Sequence, residues 1–340
     1  MRSLPITPMM VLFLIGLGGY LGCDPNSMQV ALESSGDQRP PPGFPTSAAI
    51  PSAPSPNAAS GAMSIPPRTA NTLLIGSFNM QRLGPSKLGD RWVMEKFCEI
   101  IRCFDVIGLQ EITSKDQSTL PQLVEQINAA GARYSYTISP RIGREATGYF
   151  EQYAYVFDTT RVRGGAEFCY AVQDQADVLH REPFVGRFET IAPSQPFTFT
   201  LINMHTDPGE ISYELDVLAD VFVNVRQFEY PEDDVILLGD LNAGPPNLQK
   251  LGQIPGCISA INGIPTNTRK SKTYDNFVFD QQAVREFTGR SGVFDMEQEF
   301  GLQLSDVERI SDHMPIWAEF SINEQASGFT ATNQRQALSR

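Results

Sequence analysis

Histidine is rare in this 340-residue chain, with three copies, and cysteine hardly commoner, with five; their spacings match no zinc knuckle, which excludes a small metal-stapled fold. Basic residues are short relative to acids, 26 against 39, and the net charge of −13 removes any general attraction to a polyanion. No tract interleaves Lys or Arg with aromatics as a dedicated nucleic-acid platform would. The G-x-x-x-x-G-K-[ST] loop, the G-x-S-x-G elbow and internal repeats are also missing, which excludes P-loop, serine-elbow and solenoid readings. The apolar run Met9 to Leu21 is too short for an ordinary membrane span.

What is present divides the chain. At 41% hydrophobic residues it can bury a full core, and a composition shift near residue 70 favours one large domain with an N-terminal appendage. Met1-Arg2, the apolar run and Gly22-Cys23 read as an export signal over 1–23. Tyr20-Leu21-Gly22-Cys23 resembles a bacterial lipobox, so the expectation is an envelope lipoprotein anchored through Cys23, or else a plainly secreted protein. Residues 24–71, rich in Pro, Ser, Ala and Gly, read as a disordered tether, 72–322 as the folded domain and 323–340 as a polar tail. Among the remaining cysteines, Cys169 and Cys257 are candidates for a disulfide, with buried free thiols as the alternative; Cys98 and Cys103, five apart on a helix, do not share a face.

Apolar runs predict strands at Leu73 to Phe78, Asp105 to Leu109, Tyr134 to Ile138, Tyr153 to Phe157, Phe197 to Asn203, Val235 to Leu238, Thr273 to Phe279 and Pro315 to Ile322. Helical spacing marks Trp92 to Cys103, Leu120 to Ala130 and Leu215 to Phe228. Without consistent βαβ alternation, these predict an α/β (α+β) domain: two packed mixed sheets flanked by helices, a four-layer sandwich.

Five segments end an apolar run in a carboxylate, amide or imidazole: Ser77-Phe78-Asn79, Leu109-Gln110-Glu111, Asn203-Met204-His205, Gly239-Asp240-Leu241-Asn242 and Ser311-Asp312-His313. Strand ends that converge at one sheet edge are where such proteins build hydrolytic sites. Taken singly, each such carboxylate is more often a turn former. Glu111, Asp240, Asn242 and Asp312 are hard oxygen or carboxamide donors that suit Mg²⁺, Mn²⁺ or Ca²⁺ better than zinc. Two imidazoles beside them, His205 and His313, can carry protons and stabilise charge near neutral pH. Metal, base and donor together are what phosphodiester hydrolysis requires.

Phe78-Asn79, Gln110-Glu111, His205, Gly239-Asp240-Leu241-Asn242-Ala243, Tyr274-Asp275 and Ser311-Asp312-His313-Met314-Pro315 resemble the ordered motifs of the endonuclease/exonuclease/phosphatase superfamily. Tyr149-Phe150-Glu151-Gln152-Tyr153 and Arg181-Glu182-Pro183 are similar to segments of secreted deoxyribonuclease I. The resemblance covers about residues 72–322. It implies that Glu111 holds the divalent ion with Asn79 beside it and that Asp312 completes the metal and phosphate environment. It implies that Asp240 orients or deprotonates the attacking water, with Asn242 on the phosphate or on Asp240. His313 would be oriented by Asp275 and His205 by Glu151, and Tyr149, Arg181 and Tyr274 would line a nucleic-acid groove. His180 lies outside the motifs.

The chain also departs from that enzyme. Thr113 and Gln81 stand where it has DNA-facing arginines, though Arg82 adjoins the second, and Pro245 and Lys272 stand where its structural cysteines lie. The expectation is an exported, Mg²⁺-dependent phosphodiesterase, with Mn²⁺ or Ca²⁺ as alternative ions, cutting DNA without sequence preference. Arg141, Arg144, Arg181 and Arg187 would supply a local positive face, binding would be weak and salt-sensitive, and no obligate protein partner is implied. The alternatives are a phosphatase or phospholipase C-type hydrolase of inositol phosphate or sphingomyelin-like substrates, and a non-catalytic surface lipoprotein using the fold for binding.

Overall fold

The computed structural model describes residues 65–229 and 231–325. The expected export signal, the Cys23 anchor and most of the tether and tail lie outside these residues. Residues 65–71, which composition assigns to the tether, are packed on the domain. Arg68 reaches Asp105 at 2.6 Å and Asp158 at 2.6 Å, and Pro66 is buried.

In chain order the elements are β1 (Thr72–Leu83), α1 (Pro85–Leu88), α2 (Arg91–Ile101), β2 (Val106–Ile112), α3 (Thr119–Asn128), β3 (Tyr134–Ile138) and β4 (Gln152–Asp158). They continue with β5 (Val162–Arg163), β6 (Cys169–Ala171), β7 (Phe184–Thr190), β8 (Thr198–His205), α4 (Ile211–Phe228), β9 (Val235–Asp240) and β10 (Cys257–Ser259). The chain closes with β11 (Asp275–Asp280), β12 (Phe287–Val293), α5 (Met296–Phe300), α6 (Leu304–Ile310) and β13 (Ile316–Ser321).

One sheet has the order β12-β13-β1-β2-β4-β3, the other β10-β11-β9-β8-β7-β5, with β6 paired on β7. Each has a central parallel pair, β1 with β2 and β8 with β9, flanked by antiparallel neighbours. A parallel pair needs a crossover, and helices supply it: α1 and α2 join β1 to β2, and α4 joins β8 to β9. The helices are amphipathic for this reason; α2 buries Val93, Met94, Phe97, Cys98, Ile100 and Ile101, and Asp90 caps it by accepting from the Val93 N–H at 3.2 Å.

Between the sheets lies an aromatic seam. Tyr155 meets Phe188 edge-on at 5.2 Å, Phe188 stacks on Phe199 at 5.8 Å, Phe199 on Phe197 at 4.8 Å, and Phe197 on Phe320 at 6.1 Å. The sheets also touch through a buried amide pair: Gln110 Nε2 donates to Asn203 Oδ1 at 2.6 Å, and Asn203 Nδ2 donates to the carbonyls of Leu109 and Ala154.

Of the two readings of Cys169 and Cys257, the structure has the free thiols and not the disulfide. β6 lies against β7 near one edge of its sheet and β10 forms the other edge, so β11, β9, β8 and β7 intervene, about 24 Å at the usual strand spacing.

Candidate active site

Register brings the strand-end residues together. On β8 and β9 His205 stands opposite Asp240, on β11 and β9 Asp275 stands opposite the same Asp240, and on β1 and β2 Asn79 stands opposite Gln110, next to Glu111. An isolated bridge between Asn267 and His313 fixes the loop before β13. All five motif segments therefore meet at the carboxyl ends of the two central parallel pairs, where helix crossovers leave the strand ends open.

Local backbone explains why the motifs read as they do. Gly239, the residue before Asp240, has φ +143°, and a Cβ there would stand 1.8 Å from the Met204 carbonyl oxygen, so only glycine allows β9 to press against β8 at this point. Glu111 and Asn242 have φ +61° and +49°, and the β1 and β2 ends bulge next to Glu111. Non-glycine residues in this region cost about 1–3 kcal/mol each, strain that turns the side chains inward.

At the centre is the carboxylate of Asp240, 1% exposed. Its Oδ2 lies 3.5 Å from His205 Nε2 and 3.5 Å from His313 Nε2 and accepts from Asn79 Nδ2 at 3.0 Å, while its Oδ1 accepts from the Asn242 N–H at 3.0 Å. Each imidazole is braced behind. His205 Nδ1 stands 3.0 Å from Glu151 Oε1, and His313 Nδ1 stands 2.9 Å from Asp275 Oδ2. Thr266 Oγ1 donates to Asp275 at 2.6 Å, and Ser311 Oγ accepts from the His313 N–H at 3.0 Å while donating to the Asn79 carbonyl.

The electrostatics follow. Burial alone would push both imidazoles toward the neutral form, but Glu151 and Asp240 raise His205, and Asp275 and Asp240 raise His313 well above the ordinary histidine range. Burial opposes ionisation of Asp240, yet His313 and His205 hold its carboxyl below the usual range; Glu151 is likewise held low by His205 and Arg181. Burial and the neighbouring Asp240 raise the Asp275 carboxyl against the opposing pull of His313. The site is thus two imidazole–carboxylate pairs whose Nε2 atoms both face one shared carboxylate oxygen.

A second corner holds oxygen donors. Glu111 is half-buried; its Oε1 accepts from Asn79 Nδ2 at 3.0 Å and its Oε2 from the Arg82 N–H at 2.9 Å, which leaves lone pairs on both oxygens. Asn79 Oδ1 is engaged by the Gln81 N–H at 2.9 Å, so this amide braces Glu111 against Asp240. Asp312 is exposed at the rim, its carbonyl accepting from the Thr268 N–H. Sulfur-free and imidazole-free, Glu111 and Asp312 fit a hard divalent cation and not zinc.

Lys87, which sequence reading missed, stands close enough to both Glu111 and Asp312 to feel their charge. Burial lowers its ammonium to about 8 against their attraction, while Nζ donates to the carbonyls of Met80 at 2.8 Å and Ile310 at 2.6 Å. A four-residue helix behind a Gly-Pro step carries no sequence signal that would have marked it. Thr266 was missed for the same lack of any motif.

The expected groove residues separate. Tyr149 is half-buried, its hydroxyl hydrogen-bonded to Glu151 and its ring between Arg82 at 5.8 Å and Arg181 at 5.9 Å. Arg181 is 5% exposed, donates from Nε to the His205 carbonyl at 3.0 Å and lies 3.7 Å from Glu151. Tyr274 sits tilted over His313 with ring centroids 5.8 Å apart. Asn242 donates from Nδ2 to the Thr206 carbonyl at 3.0 Å.

The four-arginine face is not assembled. Arg187 stands opposite Thr200, which in turn faces Val235 at the start of β9, so strand register carries it to the far end of the sheet, 3.8 Å from Glu232. Arg141 donates to the carbonyls of Thr113, Ser114 and Phe150, and Arg144 pairs with Asp177 and meets His180 at 3.0 Å; both fasten loops.

The profile of the Endonuclease/Exonuclease/phosphatase family matches residues 76–313. Deoxyribonuclease-1-like 1 of Sus scrofa is 34% identical over 264 residues, 74% of this chain and 82% of that protein. Deoxyribonuclease gamma of Rattus norvegicus is 33% identical over 291 residues, 79% and 90% of the two chains. Among solved structures, the human Nocturnin catalytic domain with bound sulfate aligns at TM-score 0.53 and 15% identity, covering 74% of this chain and 94% of its own, a likeness of fold. With the motif series intact and its residues gathered at one sheet edge, the chain belongs to the endonuclease/exonuclease/phosphatase family and is a phosphodiester hydrolase.

Proposed function

We propose that this chain is an exported, divalent-metal-dependent endonuclease that hydrolyses DNA without sequence preference, tethered to a membrane through Cys23. One observation carries the chemistry: two braced imidazoles place Nε2 3.5 Å from the same oxygen of Asp240. The names of the relatives, both deoxyribonucleases, support DNA as the substrate. Mg²⁺, replaceable by Mn²⁺ or Ca²⁺, would be held by Glu111 and Asp312 with Asn79 behind, and would neutralise charge on a non-bridging phosphate oxygen.

The chain's own groups supply the rest. Asp240, fixed by Asn79 and by the Asn242 N–H, orients the attacking water and accepts its proton. As the oxygen–phosphorus bond forms and the opposite P–O bond breaks, one imidazolium stabilises the charge on phosphorus-bound oxygen and the other gives its proton to the leaving oxygen. Glu151 and Asp275 keep both rings cationic and aimed. Tyr149, packed against Arg181, and Tyr274, tilted over His313, would flank the phosphodiester, while Arg181 holds Glu151 in place.

The test is nicking of supercoiled plasmid by the full chain with Mg²⁺, with Mg²⁺ plus Ca²⁺, and with chelator, beside Glu111→Ala and His313→Ala. Metal-dependent nicking lost in both variants is the expected result. A folded, metal-binding protein that leaves DNA intact but hydrolyses sphingomyelin or an inositol phosphate would overturn the DNA assignment and keep the mechanism.

A further inference from the structure

At the opposite end of β9 from Asp240, carboxylates gather from three parts of the chain. Glu232, Asp233 and Asp234 lead into β9, Glu286 leads into β12, and Glu324 follows β13. Six residues of strand separate this pole from the catalytic carboxylate, about 20 Å. Asp234 is 2% exposed and Glu286 1%, and ligand oxygens of Asp234, Glu286 and Glu324 all lie within 4.8 Å of one another.

Asp234 and Glu324 share a side-chain hydrogen bond, and further partners of the cluster are backbone N–H groups and one arginine. Glu286 Oε1 accepts from the Gln325 N–H, Glu324 Oε2 from the Thr198 N–H at 3.3 Å, and Glu232 Oε1 from the Asp234 N–H at 3.0 Å, with Arg187 3.8 Å from Glu232. Asp234 Oδ1 and Glu286 Oε2 are buried and accept no hydrogen bond among the described residues. A buried carboxylate oxygen without a donor is costly unless a cation or a proton meets it.

We propose that Asp234, Glu286 and Glu324 form a structural site for Ca²⁺, separate from the catalytic centre and independent of the hydrolase reading. The donor set argues for this ion: three carboxylates from separate strand ends, within 4.8 Å of one another, impose no octahedron, which suits the flexible shell of Ca²⁺, about 6–8 oxygens at about 2.3–2.6 Å, better than the near-ideal octahedron that Mg²⁺ demands. Because β9 belongs to one sheet and β12 and β13 to the other, the ion clips the two sheets together at the pole away from the active site. The rival is proton sharing: burial and the neighbouring carboxylates push the Asp234 carboxyl up to about 10.

The two are separated by calcium binding to the full chain after chelator treatment, followed by equilibrium dialysis with radioactive Ca²⁺ and by thermal unfolding at one fixed pH. Glu111→Ala, which disarms the catalytic corner, should keep the Ca²⁺-dependent rise in Tm. Asp234→Asn/Glu286→Gln should bind one Ca²⁺ fewer per chain and lose that rise, with a Ca²⁺-free Tm at or above wild type because repulsion is gone. Should that pair fail to fold, Glu324→Gln, at a half-buried position, should weaken the site at least tenfold. Unchanged stoichiometry and an unchanged Ca²⁺-induced Tm shift in these variants would overturn the site and leave shared protons.

Discussion

Replacing Asp275 by Asn keeps shape and burial at the brace of His313 while removing its charge. In the folded protein Asp275 Oδ2 stands 2.9 Å from His313 Nδ1 and also accepts from Thr266 Oγ1, so the amide can still hold the ring through its oxygen. What is lost is the stabilisation of imidazolium. A positioned acid of this kind contributes about 10²–10⁴ in rate, or about 3–5 kcal/mol of barrier, and the loss should fall on kcat with KM nearly unchanged. The pH profile gives the sharper readout. Asp275 and Asp240 raise His313, so Asp275→Asn lets it fall. Activity that depends on protonated His313 declines as pH rises through that value, and the basic limb of the profile should move to lower pH. The same raised group contributes stability that is fully present below the ordinary histidine value and is lost as pH rises through the folded one, so the variant's stability deficit should be largest at low pH and fade as pH rises through that folded value. Initial rates on a DNA duplex from pH 5 to 9, with thermal unfolding alongside, test both. A rate within threefold of wild type with the basic limb unmoved would refute the pairing as the source of catalysis.

Further outcomes concern the rest of the site. With a bridging phosphorothiolate, whose sulfur leaves without a proton, one of His205→Ala and His313→Ala should recover to within about tenfold of wild type and the other should not; rescue of neither would show that no imidazolium protonates the leaving oxygen. Gly239→Ala places a Cβ on the Met204 carbonyl at a positive φ and should destabilise by about 3–5 kcal/mol in urea unfolding; a loss under 1 kcal/mol would contradict the close approach. Arg181→Met removes a cation 3.7 Å from buried Glu151 and should cost about 3 kcal/mol, with the acid limb of activity moving to higher pH as the Glu151 carboxyl rises.

Much of the fold was legible because the central strands are continuous apolar runs: Tyr134 to Ile138 matches β3 end for end, and Val235 to Leu238 is extended only by the Gly-Asp step. β7 and β12 escaped because Gly and Arg interrupt them, FVGRFET and FTGRSGV, and partners supply the order that their own pattern lacks. The segments that converge on Asp240 were visible as polar strand ends. Glu151 and Asp275, the braces of the imidazoles, were legible through the motif resemblance, but the supports Thr266, whose hydroxyl donates to Asp275, and Lys87, on backbone carbonyls, belong to no pattern. The choice between a Cys169–Cys257 disulfide and free thiols stayed open for a topological reason, as sequence does not say which strands form the two edges of a sheet.

The Gln110–Asn203 amide contact bears on how accuracy is separated from strength in this protein. Two greasy surfaces can slide past one another at little cost, and the phenylalanine seam would tolerate small offsets; a 2.6 Å polar contact inside it tolerates one. That contact sits one residue before Glu111 and two before His205, so it sets the alignment of the half-site on β1 and β2 with the half-site on β8 and β9. A chain with leucine at both positions should therefore melt near the wild-type temperature while its catalysis falls, a protein whose halves are glued but no longer indexed.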